Sequence, residues 1–384
     1  MHNHRHWVGT WTTAPAPAEG VAFSNHTVRM NVRASIGGDT LRVRLSNAYG
    51  TRKLLVGAAR VGLRDSGPAI VKGSDRALTF GGAESATIAA GSLLISDPVS
   101  LPLPPLGDLA ISVYLPGDLP ATFGITGRYS RQTNYISPPG NFASAVAMPV
   151  GKITDDWYFV CGVDVLASRE TGGVVALGDS LTDANISTID AFCRWPDQLS
   201  RRLQARAGGR SMAVMNQGLG GNRILHDIRG DSGLRRFDRD VLAQPGVTHT
   251  IIMLGTNDLR NRPGKPDEEE VTAPQMIAGL KQFAVRGQAR KIKVIGGTLT
   301  PFENETFLPG AWNPRREAVR QEVNEWLRKA DGFDAIVDFD RALRDPDHPP
   351  RMLPIYDCGD HLHPSDLGYR TMGDAIDLSL FDER

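Results

Sequence analysis

The feature that most constrains this chain is a change of hydrophobic period near residue 168. Before it, short runs alternate apolar with polar residues; after it, short apolar runs alternate with segments of helical period. The strictest alternation is Leu41-Arg42-Val43-Arg44-Leu45, the pattern of a strand with one buried face. Residues 27–34, 41–46, 55–63, 109–115 and 157–166 read as strands. Gly37-Gly38-Asp39, Gly81-Gly82 and Pro102-Leu103-Pro104-Pro105 punctuate them as turns. No ten-residue helical pattern competes, so residues 1–168 are expected to form an all-β sandwich or jelly roll.

From residue 169 the apolar runs are 173–177, 213–215, 250–254, 293–295 and 335–339. Helical segments at 195–207, 234–243, 273–290 and 314–329 separate them, and a last helix at 365–378 follows Pro364. Strand–helix alternation requires crossover connections and therefore a parallel sheet. Residues 169–384 are thus expected to be an α/β domain: a five-stranded, flavodoxin-like three-layer fold. A chain of 384 residues exceeds what one ordinary core accommodates, which agrees with two domains.

Composition narrows the partners. Lys plus Arg equals Asp plus Glu at 43 each, and a nucleic-acid or anionic-membrane partner usually demands a basic excess or block. A neutral small molecule, a carbohydrate or a lipid ester fits better, with oligomeric state left open. The three cysteines, Cys161, Cys193 and Cys358, are widely spaced, so neither a disulfide framework nor a zinc site is expected. His2, His4 and His6 read as a solvated terminus, and Glu268-Glu269-Glu270 as a solvated loop. No run of about 18 apolar residues occurs, so no membrane span is expected. The opening residues lack the apolar stretch of a secretory signal, which reads as cytoplasmic, or as secreted if a leader has been removed.

Four loops of the second half carry chemistry, and in an open parallel sheet ligands gather where strands end. Gly178-Asp179-Ser180-Leu181 places a hydroxyl just after the first strand. Asn216-Gln217-Gly218-Leu219-Gly220-Gly221-Asn222 follows the second, and its glycines allow a backbone N–H to approach a substrate oxygen. It has neither a Walker lysine nor a dinucleotide fingerprint. Gly255-Thr256-Asn257-Asp258 follows the third strand, where an Asn amide can donate to a developing oxyanion. Asp360-His361-Leu362-His363-Pro364 leads into the last helix. The first and last signals have decoys or rivals: Gly230-Asp231-Ser232 repeats the first, Asp345-Pro346-Asp347-His348 imitates the last, and spacing alone does not choose between His361 and His363.

In order and position the four blocks resemble the SGNH family of GDSL-type esterases and lipases, over residues 173–378. Arg194-Trp195-Pro196 and Gly297-Thr298-Leu299-Thr300-Pro301-Phe302 fit the family's wider phrasing, and Gly9-Thr10-Trp11-Thr12 is similar to members with an N-terminal β domain. The resemblance implies a Ser180 nucleophile and an Asp360–His363 pair as orienting acid and base. It implies an oxyanion hole of the Ser180 and Gly221 backbone N–H groups with the Asn257 amide, and no metal or cofactor. One departure is Ala184, where many relatives have Gly, which puts the shape of that loop in question. The expected function is hydrolysis of carboxylic esters, with short-chain acyl groups or O-acetylated carbohydrates preferred. A longer-chain lipase and a non-catalytic carbohydrate-binding protein are the alternatives. The segment 130–141 is a candidate for shaping the pocket mouth, while Trp7 and Trp11 are expected in packing rather than at that mouth.

Overall fold

The computed structural model describes residues 5–17, 21–120, 130–260 and 270–382; His2, His4, Glu268 and Glu269 lie outside them. The chain divides into two compact units, Met1–Thr171 and Gly172–Arg384.

The first unit is mostly antiparallel β-sheet. One sheet joins Arg5–Thr12, Val160–Ser168, Gly38–Ser46, Leu93–Ile95 and Val99–Leu103. A second runs Lys152–Thr154, Asn134–Pro139, Phe23–Arg33, Asp108–Leu119, Ala58–Leu63 and Arg76–Leu78. The alternation read at 41–45 is real: Leu41, Val43 and Leu45 are fully buried. The run 55–63, expected as one strand, is two. Leu54–Val56 pairs with Ala86–Ile88, while Ala58–Leu63 joins the larger sheet. Gly57 marks the change, its N–H donating to the Tyr114 carbonyl. The segment 130–141 is not simply a loop either, because Asn134–Pro139 pairs with Phe23–Arg33, and Asn134 and Tyr135 are buried. Trp11 packs edge-on against Trp157 at 5.0 Å, a core contact.

The second unit is an α/β fold around five parallel strands: β1 (Gly172–Gly178), β2 (Met212–Gly218), β3 (Val247–Met253), β4 (Lys293–Gly297) and β5 (Ala335–Val337). Their spatial order is β2-β1-β3-β4-β5. The strands read as continuous apolar runs because both faces are covered. Val174 and Ala176 pack on one side with Trp195, Leu199, Tyr369 and Met372. Val175 and Leu177 pack on the other with Phe237, Met276, Leu280, Phe283 and Val323. The helices are α1 (Trp195–Ala205) and α4 (Asp366–Asp374) on the first side, with α2 (Ala273–Gln288) and α3 (Pro314–Arg328) on the second. The expected helix at 234–243 is α-helical only over Gly233–Phe237 and continues as a π-turn over Asp238–Leu242. The last strand is shorter than expected, since Asp338 caps a helix beginning at Phe339.

Candidate active site

Strand β1 ends on Gly178, and the chain turns at once into a short helix, Ser180–Asp183. A Cβ at Gly178 would lie 2.0 Å from Thr182 Oγ1, so only glycine permits this tight turn. Asp179 caps the helix, its Oδ1 accepting the Leu181 N–H at 2.9 Å. Ser180 thus sits on the first helical turn at a strand end, almost wholly buried. Ala184 closes that helix with φ +59°, which accounts for glycine being the usual residue in the resembling motif.

The last loop is closed by an Asp357–Pro364 bridge and by Cys358 N–H donating to the His363 carbonyl at 3.1 Å. Ser365 then caps α4 through Gly368 N–H. Within this turn, Asp360 Oδ1 accepts the backbone N–H groups of Leu362 and His363 at 2.9 and 2.7 Å. Its Oδ2 lies 2.6 Å from His363 Nδ1, and His363 Nε2 lies 2.9 Å from Ser180 Oγ. Burial alone would raise the Asp360 carboxyl, but the His363 ring and the two backbone donors outweigh it. They hold it well below the usual carboxylate range.

The two middle loops face the same strand ends. Gly255 adopts φ +138° before the turn Thr256–Leu259 that carries Asn257, where a Cβ would meet Met276 Cε at 2.8 Å. Asn257 Nδ2 donates to Asp179 Oδ2 at 2.9 Å. Asp258 accepts Ile224 N–H at 2.7 Å and Leu225 N–H at 3.2 Å, fastening this loop to the segment after Gly221. Gly221 has φ +77° in a turn held by Leu219 N–H to the Gly178 carbonyl and Asn222 N–H to the Leu219 carbonyl. Burial pushes the Asp179 and Asp258 carboxyls up to about 6, against their hydrogen bonds and neighbouring cations.

Several residues of this assembly are not evident in the sequence. Arg236, fully buried, donates to the Gly178 and Gln217 carbonyls, to Asn222 Oδ1 and to Asp240 Oδ2, all within 2.8–3.0 Å. It therefore ties the ends of β1 and β2 to the Gly221 turn. Arg260 and Glu305 form a buried pair beside Asn257. Arg260 stands one helical turn from Asn257, a spacing that could have flagged it; nothing in the sequence flags Glu305.

The decoys have other places. Ser232 precedes the Gly233 helix, its N–H donating to Asp227 Oδ1. His348 pairs with Glu303 at 2.6 Å on the surface. His361 makes a second Asp–His pair with Asp357, also at 2.6 Å, but its ring is half exposed. The ligand atoms of Asp357, Cys358 and Asp360 lie within 4.8 Å of one another. Both carboxylates are engaged by the neighbouring histidines, as acceptors of ring and backbone N–H groups. No described helix is long and apolar enough to cross a membrane.

A buried hydroxyl against an imidazole that leans on a carboxylate is an arrangement able to transfer an acyl group. Among solved structures the chain is similar to a protein assigned to the G-D-S-L lipolytic family from Desulfitobacterium hafniense, at 23% identity. That likeness covers 53% of this chain and 96% of the other, with a TM-score of 0.40. It is also similar to the acetylxylan esterase Axe2 from Geobacillus stearothermophilus, at 20% identity, 53% and 91% coverage and a TM-score of 0.41. A GDSL-like lipase from Bacteroides thetaiotaomicron gives 19%, 54% and 87%, and 0.39. No curated protein matches the chain. Residues 176–371, about half of the chain, match the sequence model of the GDSL-like lipase/acylhydrolase family. The chain belongs to that family and is a carboxylic ester hydrolase.

Proposed function

We propose that this hydrolase works through an acyl-enzyme on Ser180. The observation that carries the reading is the unbroken contact Ser180 Oγ–His363 Nε2–His363 Nδ1–Asp360 Oδ2, at 2.9 Å and then 2.6 Å. His363 takes the Ser180 proton as Oγ attacks the ester carbonyl, and Asp360 fixes the ring's tautomer and stabilises its charged form. The oxyanion is bound by the Ser180 and Gly221 backbone N–H groups and by Asn257 Nδ2. Collapse expels the alcohol, which receives the proton from His363. Water, deprotonated by the same ring, then attacks the acyl carbonyl and releases the acid and free Ser180.

Hydrolysis is assigned to residues 169–384 and an accessory role to residues 1–168. The preferred substrates are short-chain or O-acetylated carbohydrate esters. Phe307 supports that preference: its ring is 62% exposed, yet it meets the His363 ring edge-on at 6.0 Å. An exposed aromatic face beside the reacting atoms suits the apolar face of a sugar. The test is a chain-length series of p-nitrophenyl esters beside acetylated oligosaccharides, for wild type and Ser180→Ala. The reading requires acetyl esters to have the highest kcat/KM and Ser180→Ala to abolish their turnover. A maximum at long acyl chains would reject the substrate assignment, and undiminished turnover in Ser180→Ala would reject the mechanism.

A further inference from the structure

The segment after β4 carries a buried carboxylate that the acyl-transfer chemistry does not use. Glu305, with no exposed side-chain surface, meets Arg260 in a two-pronged pair: Nε to Oε1 at 2.9 Å and Nη2 to Oε2 at 3.0 Å. The remaining terminal nitrogen, Arg260 Nη1, donates to Asn257 Oδ1 at 2.9 Å. Asn257 Nδ2 donates in turn to Asp179 Oδ2, also at 2.9 Å. A chain of alternating charge and dipole therefore runs Glu305, Arg260, Asn257, Asp179.

A primary amide can be seated either way round, and its two ends have opposite polarity. Seated wrongly in an oxyanion hole, it would present a carbonyl oxygen to a developing negative charge. Here a guanidinium faces the amide oxygen and a carboxylate faces the amide nitrogen. Turning the amide over would oppose like polarities at both ends, where burial makes such contacts costly. One N–H of Nδ2 is spent on Asp179 and the amide has a second to offer. Glu305 belongs to a segment held at two further points. Its Oε2 accepts Leu308 N–H at 3.0 Å, and the next residue, Thr306, donates its N–H to the Asp360 carbonyl at 3.0 Å.

We infer that the Arg260–Glu305 pair is a positioning clamp that fixes the orientation of the Asn257 amide and links it to the 303–308 segment beside His363. The inference rests on the reading of Asn257 as an oxyanion donor. Arg260 and Glu305 touch neither substrate nor reacting atoms and act through Asn257. Arginine suits the place because three separate nitrogens of a planar fork reach two carboxylate oxygens and the amide oxygen, a span that the one nitrogen of an ammonium does not reproduce.

The test is steady-state hydrolysis of p-nitrophenyl acetate by the full chain, with melting temperature measured alongside. Single changes at either residue strand a buried charge and are expected to destabilise. The informative variant is therefore the double Arg260→Met/Glu305→Met, which removes both charges and keeps the volume. Its melting temperature is expected near wild type. Its kcat is expected to fall by ~10-fold or more, the order of a weakened oxyanion donor, with KM within about twofold. In an Asn257→Ala background the same double change should lower kcat no further. Wild-type kcat in the stable double variant would overturn the clamp, as would a full additional loss in the Asn257→Ala background. Arg260→Lys covers the case in which the double variant does not fold: the same fall in kcat supports the clamp, and wild-type kcat overturns it. Wild-type turnover in Asn257→Ala alone would overturn the oxyanion assignment first, and the clamp with it.

Discussion

Two Asp–His pairs stand side by side on one loop, and the difference between them is instructive. Both have Nδ1 to carboxylate distances of 2.6 Å, but only the ring of His363 is buried and reaches Ser180. His361→Ala is therefore expected to retain turnover within about twofold, a surface change. His363→Ala should lose it by several orders of magnitude. The reverse result in steady-state kinetics would exchange the base. A second prediction concerns Asp179, whose carboxyl burial pushes up to about 6. Because the shift is upward, the charged form that accepts from Asn257 is present above that pH and lost on acidification through it. Wild-type log kcat/KM should therefore fall on acidification through about 6 with a contribution from this carboxyl that Asp179→Asn removes, and an unchanged acid limb in that variant would exclude a role for the Asp179 charge. At this scale the family resemblance picks out Ser180, Asn257, Asp360 and His363, where spacing alone leaves His361 and His363 open; the fold joins Ser180, His363 and Asp360 by hydrogen bonds and Asn257 to Asp179. Glu305 could not be named from the sequence, because 45 residues separate it from Arg260 and only the fold joins them. Ala184, the departure from the family pattern, sits at φ +59° and accepts a strain of ~1–2 kcal/mol that glycine would avoid.

At the scale of elements, the sheet's carboxyl edge is held by side chains from the connecting segments. Arg236 lies where the sequence reads as an ordinary helix at 234–243, and a helical arginine is normally solvated. Instead the helix is cut short and the guanidinium is driven inward to the carbonyls of Gly178 and Gln217. Gly178 ends β1, its carbonyl also accepting Leu219 N–H, and Gln217 stands one residue before the end of β2, so the guanidinium serves buried acceptors at that edge. Arg236→Met should leave the Gln217 carbonyl and Asn222 Oδ1 without this donor and Asp240 with Arg239 alone, costing about 1–3 kcal/mol. A urea unfolding midpoint would register it, and a loss below about 1 kcal/mol would contradict this account. Element boundaries show the same limit of sequence reading. Strand cores were legible from apolar runs, but not the sheet change at Gly57, which depends on a tertiary contact with Tyr114.

For the whole molecule, the change of period near residue 168 anticipated a β unit followed by an α/β unit, and the residues of β1 to β5 fall on the five expected runs. Both covered faces explain why those runs lack alternation: neighbours such as Val174 and Val175 enter different cores. Stability against acid is a property of the whole molecule. His249, fully buried on β3 beside Phe381, is pushed down to about 4 by burial and by the nearby Lys293 and Arg210. Its folded value is depressed, so below its ordinary value of 6.5 the unfolded chain binds a proton that the folded chain refuses. Stability contributed by neutral His249 is therefore lost as pH falls from about 6.5 towards 4, by about 2–3 kcal/mol at the low end. Asp179 and Asp258, raised to about 6, act in the opposite sense over part of that range. The measurement is thus a comparison: His249→Gln should lose less stability than wild type between pH 7 and 4.5. Equal losses would mean that His249 titrates normally.

The central claim is that acyl transfer passes through Ser180 because the fold brings His363 and Asp360 to it, and not through the Gly-Asp-Ser copy at Ser232. The most direct measurement is covalent trapping with a fluorophosphonate ester, followed by peptide mass analysis of the labelled protein. The account predicts a single phosphonyl group on the peptide containing Ser180, none on Ser232, and loss of labelling in His363→Ala but not in His361→Ala. A label on any other residue, or undiminished labelling of Ser180→Ala, would contradict it.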